Sequence, residues 1–248
     1  MARRGLLVAA GIVAFLVFLI AMVPATVLTR FLPPGIALAG LDGTIWSGRA
    51  SSLSLEGRDL GAANWSCRPW PLLVFEWSCR VSLQPFGGQL ETVLSGNFDT
   101  DEIEARDLTG SLPITFLEAM VTPKGWTGRL ELDVATARIA GGLPQDAEGK
   151  LYVRALKAPG PGGALLGDFE LTIGEGAVGT GTLTGRLIDL GGPLRVRGTV
   201  ELKRDRSYFL SGEVAPGPGA GPSIFDTLVF LGPPDNSGRR PFSVEGTL

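Results

Sequence analysis

Over much of the chain, apolar and polar residues alternate one by one. The clearest run is Leu194-Arg195-Val196-Arg197-Gly198-Thr199-Val200-Glu201-Leu202-Lys203, in which each apolar residue or glycine is followed by a polar one. On a strand, alternate residues share a face, so this pattern predicts an antiparallel sheet with one buried and one wet side. A polar turn over 203–207 follows, and Tyr208-Phe209-Leu210-Ser211-Gly212-Glu213-Val214 runs back; residues 129–134 and 151–156 read likewise. Many of these runs carry one frame: apolar, any, Gly, any, apolar. It occurs in Leu41-Asp42-Gly43-Thr44-Ile45, Leu108-Thr109-Gly110-Ser111-Leu112, Leu183-Thr184-Gly185-Arg186-Leu187 and Val244-Glu245-Gly246-Thr247-Leu248, among others. The glycine then lies on the buried face, where it marks a bend, a bulge or the close approach of another backbone. Repeated strand after strand, it predicts a mostly β, strongly curved, antiparallel, Gly-rich meander. No fixed period holds across the chain, so a solenoid is not predicted.

Three stretches break the alternation. Residues 114–121, between Pro113 and Pro123, read as a short helix. Residues 223–231 read as a second, with Ser223 and Asp226 placed as a capping box and Gly232-Pro233-Pro234 as the stop. The third stretch, residues 5–23, holds nineteen residues without a charge. As a helix it would rise roughly 28 Å, close to the ~30 Å hydrocarbon core of a bilayer. Arg3 and Arg4 precede it, and only Arg30 follows closely, so the positive-inside rule places the N-terminus in the cytoplasm. A cleaved signal peptide is the competing reading, with small residues near Val23-Pro24-Ala25, although the apolar run exceeds the usual 7–15 residues of a signal h-region. Either way, residues 31–248 are exported. The organisation expected is a cytoplasmic tip (1–4), a transmembrane anchor (5–23), a juxtamembrane segment (24–39) and an exported β domain (40–248). The β domain would divide, if at all, near the Pro/Gly loop at 157–164.

Charge and cysteine content sharpen this picture. Residues 31–248 carry 19 basic and 25 acidic side chains, a net charge of −6, which is no nucleic-acid footprint. The two cysteines, Cys67 and Cys79, sit in two copies of Trp-Ser-Cys-Arg. In an oxidising compartment such a pair favours a disulfide; two reduced buried thiols are the alternative. The intervening Arg68-Pro69-Trp70-Pro71 interrupts sheet pairing, so a hairpin or short loop would bring the two copies side by side.

Catalytic chemistry has little to stand on. The chain has no histidine, which removes Ser-His-Asp and Cys-His arrangements and most zinc sites, and no G-x-S-x-G elbow or P-loop occurs. Asp99, Asp101, Glu102, Glu104 and Asp107 begin like a calcium loop, but Glu104 stands where that loop needs glycine and Gly110 where it needs the closing glutamate. A solvated acidic turn is expected instead. The reading is therefore a non-enzyme with no cofactor and no metal. Two classes fit: a component of an envelope machine, or a lipid-handling domain whose curved sheet shelters acyl chains.

Larger motifs narrow the choice. Gly40-Leu41-Asp42-Gly43-Thr44-Ile45-Trp46-Ser47-Gly48-Arg49-Ala50 follows Leu32-Pro33, and Trp65 to Leu73 gives W-x-x-x-P-x-x-L-L. Gly192-Pro193-Leu194-Arg195-Val196-Arg197-Gly198 and Tyr208-Phe209-Leu210-Ser211-Gly212 come later. The last block is Leu231-Gly232-Pro233-Pro234-Asp235-Asn236-Ser237-Gly238-Arg239-Arg240-Pro241-Phe242. In this order the blocks resemble the type II secretion system protein N family, also called general secretion pathway protein N. The resemblance implies a single-pass inner-membrane protein whose bulk lies in the periplasm, within the machine that exports folded proteins across the outer membrane. It implies no catalysis and no cofactor. The implied partners are other parts of that apparatus, the inner-membrane platform and the secretin, with lipid the partner under the alternative reading. The motif positions to which the resemblance assigns structural roles are Gly43, Thr44, Trp46, Gly48, Gly192, Pro193, Gly232, Pro234, Asp235, Gly238, Arg239 and Pro241. In the closing turn, Arg239 would pair with Asp235 or face a partner, the structural role being the expected one, and Trp46 is expected to be a packed anchor, with an interface hot spot as the alternative. Cys67 and Cys79 are not part of this resemblance.

Overall fold

A computed structural model of the chain describes residues 2–30, 32, 35–55, 57–71, 75–117, 125–160, 163–174 and 182–247. It forms two compact units, Met1–Phe86 and Gly87–Leu248.

The first unit opens with α1 (Ala2–Ala21) and a 3-10 turn (Ala25–Arg30). Seven strands follow: β1 (Ile36–Ala39), β2 (Asp42–Gly43), β3 (Ser47–Ala50), β4 (Ser52–Leu55), β5 (Arg58–Asp59), β6 (Ala62–Arg68) and β7 (Glu76–Gln84). They do not form a simple meander. β4 pairs with β1 and β5, while β2, β3, β6 and β7 form a separate antiparallel order. Cys67 and Cys79 are direct partners in the β6–β7 register and form a disulfide. The two Trp-Ser-Cys-Arg copies therefore lie side by side.

The second unit is a meander. β8 (Gln89–Asn97), β9 (Glu102–Pro113), β10 (Thr127–Ala140), β11 (Leu143–Lys157), β12 (Leu165–Ile173), β13 (Thr182–Asp189), β14 (Leu194–Lys203), β15 (Ser207–Pro216) and β16 (Arg240–Thr247) pair antiparallel in chain order. The alternation read from the sequence appears as burial along β14, where Val196 and Gly198 are buried between exposed Arg195, Arg197 and Thr199. The loop at 158–164 joins two strands that pair with each other. One helix, α2 (Pro222–Val229), lies on the sheet, turning Ile224 and Leu228 into a core with Phe169, Val196 and Val214. The spacing of those two residues, four apart, places them on one helix face.

Four expectations need correction. First, no sheet is strongly curled. In-strand glycines such as Gly110, Gly198 and Gly212 lie where a neighbouring backbone comes close. Gly198 and Gly212 are cross-strand partners, and a Cβ on Gly212 would stand 2.3 Å from the carbonyl oxygen of Arg197. Second, among the described residues no helix is both long and apolar enough to cross a membrane. The apolar run is helical over Ala2–Ala21, but its side chains are described only from residue 10, a stretch of about 18 Å at 1.5 Å per residue. Third, the helix expected at 114–121 is a 3-10 turn over Ile114–Leu117, and residues 118–121 lie outside the described residues. Fourth, α2 begins at Pro222, so Ser223 sits inside the first turn and not at the cap. Proline suits that first helical position because its missing N–H would have no intrahelical partner.

Candidate functional site

Two features gather motif positions, and a third is an apolar groove. The first is a collar at the end of α1. The last carbonyls of a helix have no partner within it. Here the Trp46 indole N–H donates to the carbonyl of Ile20 at 2.8 Å, and the Ile45 amide donates to that of Val23 at 3.0 Å. Pro24 and Thr44 form an isolated antiparallel bridge beside these bonds. The Thr44 hydroxyl accepts from the amides of Trp46 (3.3 Å) and Ser47 (3.2 Å), closing the tight turn between β2 and β3. Trp65 lies across Gly48, its cross-strand partner, where a Cβ would meet the ring at 2.5 Å. Its indole N–H donates to the Thr44 carbonyl at 3.1 Å. Gly43, Thr44, Trp46 and Gly48 thus converge on one job, holding the exit of α1 against β2, β3 and β6. Trp46 is half-buried.

The second feature is the turn after α2. Gly232, at φ 89°, follows α2 after a further turn, and its carbonyl accepts from the Arg240 side chain at 2.9 Å. One oxygen of Asp235 accepts three bonds at 2.8 Å each, from the Ser237 amide, the Ser237 hydroxyl and the Arg239 amide. The Asp235 amide donates to the Arg239 carbonyl at 2.7 Å. The Ser237 hydroxyl above all, with the Arg239 amide, holds the Asp235 carboxyl below its ordinary range. The Asp235–Arg239 lock therefore runs through the Arg239 backbone. Its guanidinium turns instead towards Glu213 on β15, at 3.9 Å.

The third is an apolar groove of about 540 Å³ between α2 and the sheet, floored by Leu194, Val196 and Val214 and flanked by Leu228 and Phe242. Sequence reading did not anticipate it, because its walls come from strands, helix and the 158–164 loop. The outer side of α2 and its end leave Phe225, Val229 and Phe230 exposed, Phe230 at 89%. The acidic residues of the β8–β9 region do not gather. Glu104 pairs with Arg106 on its own strand at 2.6 Å, and that bond holds its carboxyl below the usual range. Among the described residues, no group of three or more Cys, Asp or Glu is placed to hold a metal.

Residues 34–243 match the family described as "Type II secretion system (T2SS), protein N". Over 260 aligned residues the chain is 31% identical to the type II secretion system protein N of Aeromonas hydrophila, covering 100% of both proteins. It is 30% identical to that of Vibrio cholerae serotype O1, covering 88% of this chain and 87% of the relative. No solved structure matches.

Proposed function

Because the chain belongs to the type II secretion system protein N family, we propose that it is a non-catalytic component of the secretion apparatus, anchored in the inner membrane with its β units in the periplasm. The observation that carries this reading is the match to the family over residues 34–243, through both the collar and the closing turn. Two further features support it. The described part of α1 exposes Ile12, Phe15, Leu16, Phe18 and Ile20, each about half accessible, which is the surface of a segment with an apolar surround. The collar binds the exit of that segment to the strands of the first unit, so the anchor and that unit would move together. The exposed apolar residues of α2 suit contact with another component of the machine, since such patches on an otherwise polar surface mark interaction sites.

The test is a pull-down of the full chain from detergent-solubilised envelope, with proteins and lipids both identified by mass spectrometry, alongside export assays in a strain lacking the gene. Platform components or secretin in the eluate, with reduced export in the deletion strain, are the expected result. Stoichiometric lipid without secretion proteins, and unchanged export, would overturn the reading. Protease added to the periplasmic side should digest the β units and spare residues 5–23; full protection of the β units would refute the topology.

A further inference from the structure

Arg195 and Arg197 flank buried Val196 on β14, so both side chains leave the sheet on the face opposite the core. They line a cavity of about 390 Å³ together with Arg239, Asp189, Gly192 and Pro218. Two separate motif blocks thereby meet in one place, the strand opened by Gly192-Pro193 and the turn closed by Gly238-Arg239.

The walls are held by hydrogen bonds independent of the guanidinium groups. The Gly217 amide donates to the Pro193 carbonyl at 2.8 Å, drawing the segment after β15 against the β13–β14 turn. The two oxygens of Asp189 accept from the amides of Val196 (3.0 Å) and Gly191 (3.3 Å), so this carboxylate is engaged in shaping the turn. Asp235 fixes the backbone of Arg239. Among the described residues neither Arg195 nor Arg197 has an ion pair, and Arg239 has only the long contact to a half-exposed Glu213. Three arginines thus line one cavity, in a chain where acidic residues outnumber basic ones 25 to 22. Like charges brought together repel unless an anion is supplied between them.

We propose that this pocket is an oxyanion site that takes a phosphate group. Guanidinium forks match phosphate oxygens two at a time. With Asp189 in the lining and Glu213 against Arg239, the three arginines leave a net positive site that an anion balances, and the fork geometry of the guanidinium groups, not the charge count, selects a phosphate over a single carboxylate. The cavity falls in the range of about 300–1,000 Å³ typical of small-ligand sites. The phosphate could be free or the terminal phosphate of a lipid headgroup, since the recognising chemistry is the same. The proposal goes beyond the secretion reading and does not depend on it.

The experiment uses the full chain in non-ionic detergent, with thermal unfolding and calorimetric titration as readouts. One arm adds inorganic phosphate at constant ionic strength, a second adds phosphatidic acid to the micelles, and a third adds a soluble polyglutamate peptide. Wild type is compared with R195Q, R197Q, R195Q/R197Q and R197K, and with K203Q as a basic residue outside the pocket. Binding in the first or second arm is expected, weakened roughly tenfold per arginine removed to glutamine. R197K should recover only part of the loss, and K203Q should match wild type. Binding in the first arm identifies free phosphate as sufficient, and binding in the second alone identifies a lipid headgroup. The proposal is overturned if neither arm binds, if the double variant binds as wild type does, or if only polyglutamate binds. These outcomes leave the pull-down result untouched, so either idea can fail alone.

Discussion

Reducing the Cys67–Cys79 disulfide should destabilise the first unit by about 3 kcal/mol. The bond joins directly opposed residues of β6 and β7 with a sequence separation of 12. In the chain-entropy account, closing a loop of this size removes roughly 10 cal/mol/K from the unfolded chain, or about 3 kcal/mol at 25 °C. The strand pairing around the bond does not depend on it, so the loss should act through the unfolded state and leave the folded structure in place. Four of the five tryptophans, Trp46, Trp65, Trp70 and Trp77, lie in that unit, so fluorescence reports mainly on it. With a urea m-value of about 1–3 kcal/mol/M, the fluorescence midpoint should fall by about 1–3 M on adding reductant. C67S/C79S should show the same fall without reductant, and reductant should not move its midpoint further. Equal midpoints for oxidised and reduced wild type would refute the reasoning. A shift of unit-2 signals as large as the tryptophan shift would also refute the assignment of the effect to the first unit.

Other outcomes follow from the second unit and the collar. L228A removes a side chain that is 3% exposed in the α2 core and should cost about 2–5 kcal/mol by denaturant unfolding. G212A places a Cβ 2.3 Å from the Arg197 carbonyl and should cost about 1–3 kcal/mol, read as a lower thermal midpoint, while the same change at Gly219, which faces open space at φ 80°, should bring only its backbone strain. W46F deletes the indole donor to Ile20 and should cost about 0.5–1.5 kcal/mol, seen as faster amide exchange around Ile45 and at the end of α1. Asp235 has a folded carboxyl held below the ordinary value near 3.9, so its contribution is full above that value and disappears as pH falls through the lower folded one. Below about pH 4 wild type should therefore lose stability that D235N does not lose, as thermal unfolding across that range would show; parallel profiles would refute the role of the carboxylate.

The legible part of this protein was the part set by nearest neighbours. Period-two alternation marked β14 over Leu194–Lys203 because a strand repeats its faces every second residue, and the turn chemistry at Gly232-Pro233-Pro234 marked the end of α2. The two cysteines were recognisable as a pair because a short proline-interrupted segment separates them. Strong curvature was misread from the glycines, since the same missing side chain permits both bending and close packing of backbones. Only cross-strand register, which links residues such as Gly198 and Gly212, separates the two. Proximity in the chain points Arg239 towards Asp235, yet its side chain meets Glu213 of β15.

By itself, then, the sequence determined a mostly antiparallel β chain, an apolar N-terminal segment and a cysteine pair that favours a disulfide, because each depends on local spacing and compartment chemistry. The tertiary structure decided that Trp46 would close the end of α1, that β4 and β5 would leave the meander, and that Arg239 would join Arg195 and Arg197 of β14 in one pocket. Those facts rest on contacts between residues far apart in the chain, which the meeting of strand, turn and helix creates and no local pattern encodes.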